Sequence, residues 1–354
     1  MITKDLQTLI LMSKTLVYTS LMVVVVLIVA FILKNDTTEP VSNIGYDPMA
    51  AYEAKQEPFD LFFLQRSYPD MKHDVNAYKK ALKQVNQSDL ALKSASTSDP
   101  KNSTLSSTGF DSDWTTQGPG NAGARINTIA VHPTNEDIIY LGYSGGGIYK
   151  TTDGGDNWIS IFDDQPFLAI GDIVLDPVDP NIIYVGTGDP AITGYPFIGD
   201  GVYKSEDAGA TWTHLGLSQV GIVSKIEIDP TDTDIIYVAS MGIPFERNFD
   251  RGMYKSINGG QSWSQILSFG DAIGVIDMLL NPDNPQIVYA AAWARIRNNE
   301  ESFATANGSK VFRSTNGGLS WAPLEGGLPD GVSSRVGLAM SGTDPDVLLS
   351  LIHI

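Results

Sequence analysis

The residues that could do chemistry in this chain are carboxylates, arginines and a few aromatics gathered in four unequal stretches. These stretches are 142–147, 187–201, 240–252 and 291–309. They hold Asp189, Tyr195, Asp200, Glu246, Arg247, Asp250, Arg251, Trp293, Arg295, Arg297, Glu300 and Glu301. Two carboxylates with a water between them can hydrolyse a glycoside with inversion. Trp293 and Tyr195 offer apolar faces on which a sugar ring can stack. Trp293 with Arg295 and Arg297 is the densest aromatic-plus-cation cluster, and Arg247 with Arg251 is a second. An apolar anchor ringed by a few polar groups is what a recognition site needs. The competing reading is that these are solvated loop charges and loop-packing aromatics. Ser144 has no base near it in the sequence, and the four histidines are His73, His132, His214 and His353. Their spacing matches no metal site, so no metal or cofactor is expected and no catalytic residue is assigned.

The elements that must position these stretches come from a repeat. The segment Thr151-Thr152-Asp153-Gly154-Gly155-Asp156-Asn157-Trp158 returns at 205–212, 256–263 and 314–321, with tryptophans 54, 51 and 58 residues apart. Such a period marks repeated supersecondary units. Each copy has the form Ser/Thr-x-Asp/Asn-x-Gly-x-Thr/Ser/Asn-Trp and carries the pairs Asp153 and Trp158, Asp207 and Trp212, Asn258 and Trp263, or Asn316 and Trp321. An apolar–aromatic–basic run precedes each, as in Ile148-Tyr149-Lys150, and suits a half-buried strand. The Asp or Asn caps turn N–H groups, the glycine accepts positive φ, and the Trp covers the hairpin. These residues are read as structural.

Upstream of each box lie two more strands separated by a turn rich in Pro, Asp and Asn. First strands are expected at 126–131, 170–175, 223–228, 275–280 and 335–340. Second strands are expected at 138–141, 182–185, 235–238 and 287–290. Four antiparallel strands per repeat make one propeller blade. In such a blade the first and third turns share one face. The second turn and the blade-to-blade connection share the other. The variable stretches therefore lie together opposite the boxes, where a rigid scaffold commonly houses binding. Arg125 and Arg335 open first strands and sit near that face, and Arg125 is expected to hydrogen-bond the glycine-rich segment before it.

These boxes resemble the Asp-boxes, or BNR repeats, of sialidases, xyloglucanase-type glycosidases, the sortilin family and secreted bacterial propeller proteins. The resemblance covers residues 114 to 349, and Gln117–Arg125 is similar to the entry of sortilin-like bacterial propellers. It implies an all-β Asp-box propeller of four-stranded antiparallel blades, four complete and a fifth stopping after its second strand. A propeller must close, so the chain is expected to be an N-terminal piece of a longer one. The resemblance also argues about chemistry. Xyloglucanase-type enzymes carry a catalytic Asp in Thr-Asp-x-Gly-Gly, and the matching stretch here is Tyr143-Ser144-Gly145-Gly146-Gly147, with Ser144 in the acid's place. Those enzymes also use a second propeller for the other carboxylate. No Arg-Ile-Pro motif precedes the boxes, so a sialidase arginine triad has no anchor.

Composition and the N-terminus supply the remaining bounds. A net charge of −18 argues against binding nucleic acid through phosphates. There is no cysteine, hence no disulfide. Leu21–Leu33 is unbroken apolar sequence, and with residues 15–20 it makes about 28 Å of helix, enough to span a bilayer. No small-x-small site follows it, so residues 1–34 read as an uncleaved signal anchor with the propeller outside the cytoplasm, in the periplasm or at the cell surface. Secretion after signal cleavage is the alternative. Residues 35–86 read as a helical neck, with one helix near 74–85, and 87–112 as a Ser/Thr-rich linker. The functional expectation is an exported or membrane-anchored sortilin-like binding module for a protein, peptide or carbohydrate ligand. The alternatives are a xyloglucanase-type glycoside hydrolase whose catalytic partner lies further along, and a structural assembly factor like the photosystem-assembly propellers.

Overall fold

The computed structural model describes residues 125–192, 197–298, 301–326, 328 and 333–352, with Lys80, Ala81 and Gln84. Those last three are helical, inside the helix expected at 74–85. The rest of the neck, the linker and the N-terminal apolar run lie outside the described residues. So do Tyr195 and Glu300. Among the described residues no helix is long and apolar enough to cross a membrane. The chain divides into units Met1–Ala77 and Tyr78–Ile354, and every described residue falls in the second.

Four four-stranded antiparallel sheets follow one another. The first contains β1 (Ile126–Val131), β2 (Ile139–Tyr143), β3 (Ile148–Thr151) and β4 (Ile159–Ser160). The second contains β5 (Ile170–Leu175), β6 (Ile183–Thr187), β7 (Val202–Ser205) and β8 (Thr213–His214). The third contains β9 (Val223–Ile228), β10 (Ile236–Ser240), β11 (Gly252–Ser256) and β12 (Ser264–Leu267). In the fourth, β13 (Ile273–Leu280) and β14 (Val288–Ala294) pair in order with β17 (Val311–Ser314) and β18 (Ala322–Pro323). A separate hairpin, β15 (Ile296–Arg297) with β16 (Ser302–Phe303), interrupts it. The last pair is β19 (Val336–Met340) and β20 (Leu348–Ile352). The first strands β1, β5, β9, β13 and β19 contact one another in succession. That is the arrangement of consecutive propeller blades around their inner strands, and the expected all-β architecture stands.

The turns form by the predicted capping. Asp176 Oδ1 accepts the N–H of Val178 at 2.8 Å and of Asp179 at 3.1 Å. Asn281 Oδ1 accepts those of Asp283 at 2.9 Å and Asn284 at 3.0 Å. In each box a hydroxyl and a carboxylate or amide divide the work. Ser205 Oγ accepts the N–H of Gly209 at 2.8 Å, while Asp207 Oδ1 accepts that of Thr211 at 2.8 Å. Where Asp is replaced by Asn, the side-chain contact reverses direction. Thr211 Oγ1 donates to Asp207 at 2.6 Å, whereas Asn258 Nδ2 donates to Ser262 Oγ at 2.9 Å.

One expectation needs correcting. The box tryptophan is expected to cover its own hairpin, and Trp158 and Trp321 do donate to Gly155 at 3.0 Å and Gly318 at 3.1 Å of their own boxes. Trp212 Nε1–H instead donates to the Ile161 carbonyl of the preceding sheet at 2.8 Å, and its ring meets Phe162 edge-on at 5.1 Å. Trp263 likewise donates to Leu215 at 2.9 Å. The side chain points back across the junction because buried apolar side chains lie there for it to cover. Phe162, Ile170, Ile183 and Tyr203 pack between the first and second sheets, and Trp212 closes that cluster. Tyrosines and lysines reach the other way. Lys150 lies over Tyr140 at 5.3 Å and Lys255 over Tyr237 at 4.8 Å.

Every complete first strand carries a bulge, between Ile126 and Thr128, Ile170 and Asp172, Val223 and Lys225, and Val275 and Asp277. Inner strands come very close at this point. A Cβ added to Gly171 would lie 1.9 Å from the Val223 oxygen. The residue after each bulge then reaches the neighbouring strand. Asp172 accepts the Ile226 N–H at 3.0 Å, and Asp277 accepts that of Leu338 at 2.8 Å. These groups sit on the inner sheet edge and would otherwise be unpaired.

Candidate functional site

The loops between second and third strands do share one end of the sheets, and the structure stitches them together. Asp189 is the first anchor. Its buried carboxylate pairs with Arg125 and accepts Asn127 Nδ2 at 3.2 Å and the Ala191 N–H at 3.1 Å. This ties the loop after β6 to the start of β1. Arg125 thus pairs with Asp189; the glycine-rich segment expected as its partner lies outside the described residues. The loop then turns at Ile192, which has φ 44° and is 2% exposed. A left-handed β-branched residue is costly and is held only by strong packing. Ile192 packs with Ile222, Met241, Ile276, Trp293 and Val336, drawn from several sheets.

Four candidate ligand contacts are buried, contrary to the exposed-loop expectation. Trp293 lies in β14, is 5% exposed, and donates its indole N–H to Ala304 at 2.8 Å. The small residues Ala290, Ala291 and Ala292 let β14 run on as a buried strand where a loop was expected. Arg251 is fully buried and donates to the carbonyls of Met241 at 2.7 Å, Ile243 at 2.7 Å, Glu246 at 3.0 Å and Arg295 at 3.0 Å. Arg295 donates to Phe303 at 2.8 Å and Ile192 at 3.3 Å. Burial lowers the Arg251 and Arg295 guanidiniums to about 10. With buried Asp189, these residues fix loop shape.

The remaining candidates keep accessible surface. Glu246 and Arg247 are exposed, and Asp200 and Arg297 are half-buried. The Asp200 carboxylate lies 3.7 Å from His214 Nε2. Arg247 bridges Asp271, at 3.0 Å, and Glu301. Asp271 belongs to a sheet-to-sheet connection on the same end, outside the four stretches named from the sequence. Arg247 fills the gap between these two carboxylates, where a hydrolytic water would have to sit. Ser144 is half-buried and its N–H bonds the Arg125 carbonyl at 3.0 Å. Exposed aromatics were also missed. Phe197 is 48% exposed beside Gly145, and Phe249 is 71% exposed in the next loop. Both sit outside regular periodicity, so only loop position points to them.

A second polar group runs along the inner strands. Lys225 Nζ lies 3.3 Å from Asp172, which also accepts Thr128 Oγ1 at 2.8 Å. Glu227 follows on the same strand face. Part of its side chain is accessible, but protein crowds the carboxyl, and desolvation pushes it up to about 7 against the pull of Lys225. The shared place of Thr128, Asp172, Lys225 and Asp277, four residues before each turn, was readable by aligning the repeats. Among the described residues no group of His, Asp and Glu could hold a metal.

No family model matches the chain. In sequence it is similar to the xyloglucanase Xgh74A of Acetivibrio thermocellus, 26% identical over 256 residues that cover 63% of this chain and 28% of that protein. It is also similar to a xyloglucanase of Paenibacillus sp, 23% identical over 236 residues, covering 60% of this chain and 22% of that one. Among solved structures, an ancestral GH74 enzyme superposes with a TM-score of 0.47 at 23% identity, over 60% of this chain and 27% of that chain. The chain thus spans less than a third of the curated relatives it matches. These relatives are xyloglucanases; the likeness to sortilins stays with the motif residues alone.

Proposed function

We propose that this chain is the saccharide-binding propeller portion of a glycoside-hydrolase-type protein, with the ligand on the loop end opposite the boxes. The observation that carries the reading is the pair of exposed rings, Phe197 and Phe249, on adjacent loops held by buried anchors. Exposed aromatics on a rigid frame suit a sugar face. The partial similarity to xyloglucanases supports the same ligand class. It favours a hydrolase-type protein over the free-standing binding module expected from the motifs. Hydrolysis is the second reading, and it needs a carboxylate pair beyond Asp271 and Glu301, whose gap Arg247 fills.

Titration calorimetry with xyloglucan oligosaccharides tests the proposal. Phe197→Ala and Phe249→Ala should each weaken binding about fivefold or more, the scale of an interface anchor, with unchanged melting curves. Absence of binding, or variants that bind like the parent, would overturn it. The same proposal puts this propeller outside the cytoplasm, a reading supported by the apolar run Leu21–Leu33. N-terminal sequencing of the membrane-extracted protein tests that placement, since an intact N-terminus is expected of an anchor.

A further inference from the structure

At the end of the inner strands, beside Trp293, positive charge stands without a close counter-ion although the chain is strongly acidic. Arg335 and Arg295 bracket that indole, with guanidinium carbons 5.9 Å and 5.8 Å from the ring. Among the described residues no carboxylate comes within ion-pair distance of either. Asp189 is the nearby acid, but Arg125, Asn127 and the Ala191 N–H already occupy it. Arg335 is left with a bond to the Pro190 carbonyl at 3.5 Å. The buried Nε of Arg295 has no partner. Asp277 and Asp189 favour the Arg335 charge from a distance, while crowding by protein and the charge of Arg125 oppose it.

Arg335 is exposed, so its guanidinium is open to an anion that a ligand brings. The chain has 41 acidic side chains, yet among the described residues none is placed against Arg335. The Trp293 ring restricts the guanidinium, and a held fork is suited to a planar carboxylate. We propose that Arg335, flanked by Arg125, forms a subsite for the carboxylate of an acidic sugar, a uronic acid, carried by the saccharide ligand. This rests on the saccharide reading above and narrows its ligand class. No bond is made or broken; the step is recognition.

The test uses the full chain and two probes, a glucuronate-bearing oligosaccharide and the same compound with its carboxyl reduced to the alcohol. The parent protein should bind the acidic probe about tenfold more tightly, a gap that narrows with added salt. Arg335→Ala should erase the difference while leaving affinity for the neutral probe unchanged. Arg335→Lys, which keeps the charge and loses the fork, should retain part of it. Equal affinity of the parent for both probes would overturn the subsite and leave the saccharide reading intact. An acidic preference that survives Arg335→Ala would also overturn it. Binding of neither probe would remove both proposals.

Discussion

The Lys150 ammonium donates to the carbonyl of Ala208 at 2.9 Å, and so joins the third strand of one sheet to the box of the next. Tyr140 reaches the same carbonyl at 3.4 Å. The pattern recurs where Lys255 donates to Gly317 at 2.9 Å and Tyr237 at 3.2 Å. The acceptor residue has positive φ in each box, glycine in three and Ala208, at 56°, in the other. Lys150→Met keeps the packing stem and removes the charged donor. It should lower stability by about 1.5–2 kcal/mol, the low end of the range for a hydrogen bond to a charged group. The midpoint of urea unfolding reads this, and an unchanged midpoint would show the contact to be idle.

Trp212→Ala removes the contact that runs the opposite way. The ring is half-buried, so the loss should sit near 3 kcal/mol, the low end for a buried aromatic. Saccharide affinity, measured on the still-folded protein, should not change, since the box lies at the far end of the sheet. A loss of binding without a loss of stability would move the site to the box end.

The acid limb of stability should divide the boxes. Hydrogen bonds from the residue four places on, Asn157 or Thr211, with Thr151 or Ser205 adding to them, depress the Asp153 and Asp207 carboxyls to about 2. A depressed carboxyl stabilises the fold above its unfolded value, near 4, and loses that contribution as pH falls toward 2. Asn258 and Asn316 cannot titrate. Asp207→Asn should therefore leave neutral-pH melting nearly unchanged and flatten the decline between pH 4 and 2. A steeper decline would refute the assignment.

Glu227 has the opposite sign. Its folded value is raised to about 7, so the folded state holds the proton more tightly than the unfolded one. Stability should fall as pH rises from about 4.5 to 7 and then level off. Glu227→Gln should remove that slope, as thermal melting across this range would show. A slope that persists in the variant would assign it to another group.

Much of this architecture was legible because local rules agreed with one another. Strands β1, β5 and β9 begin and end where alternation and the Pro-turns placed them. The box glycines and caps also did what their chemistry requires. The loop end was legible only in outline. Arg251 and Arg295 look like surface charges in sequence, and their burial depends on backbone carbonyls brought from distant segments. Trp293 reads as loop because the repeat predicts a strand ending earlier. Alanines at 290, 291, 292 and 294 let it continue between packed neighbours. No local pattern states which side of a junction a tryptophan will fill, so the backward reach of Trp212 and Trp263 was not readable.

The inner-edge contacts have a consequence for the order in which the fold can be built. Asp172 and Asp277 each offer an acceptor to the strand that follows them in the chain, as Lys150 and Lys255 offer a donor to the box that follows. Trp212 and Trp263 bind backward. Along the inner strands and the boxes this coupling runs between adjacent sheets, as in a one-dimensional array; the loop end, where Arg295 reaches Ile192, links sheets further apart. A sheet leaving the ribosome finds its partners already displayed by the sheet before it, so growth from the N-terminal side proceeds by templated addition. Backbone amide exchange should accordingly be slow in the second, third and fourth sheets, which have a neighbour on both sides.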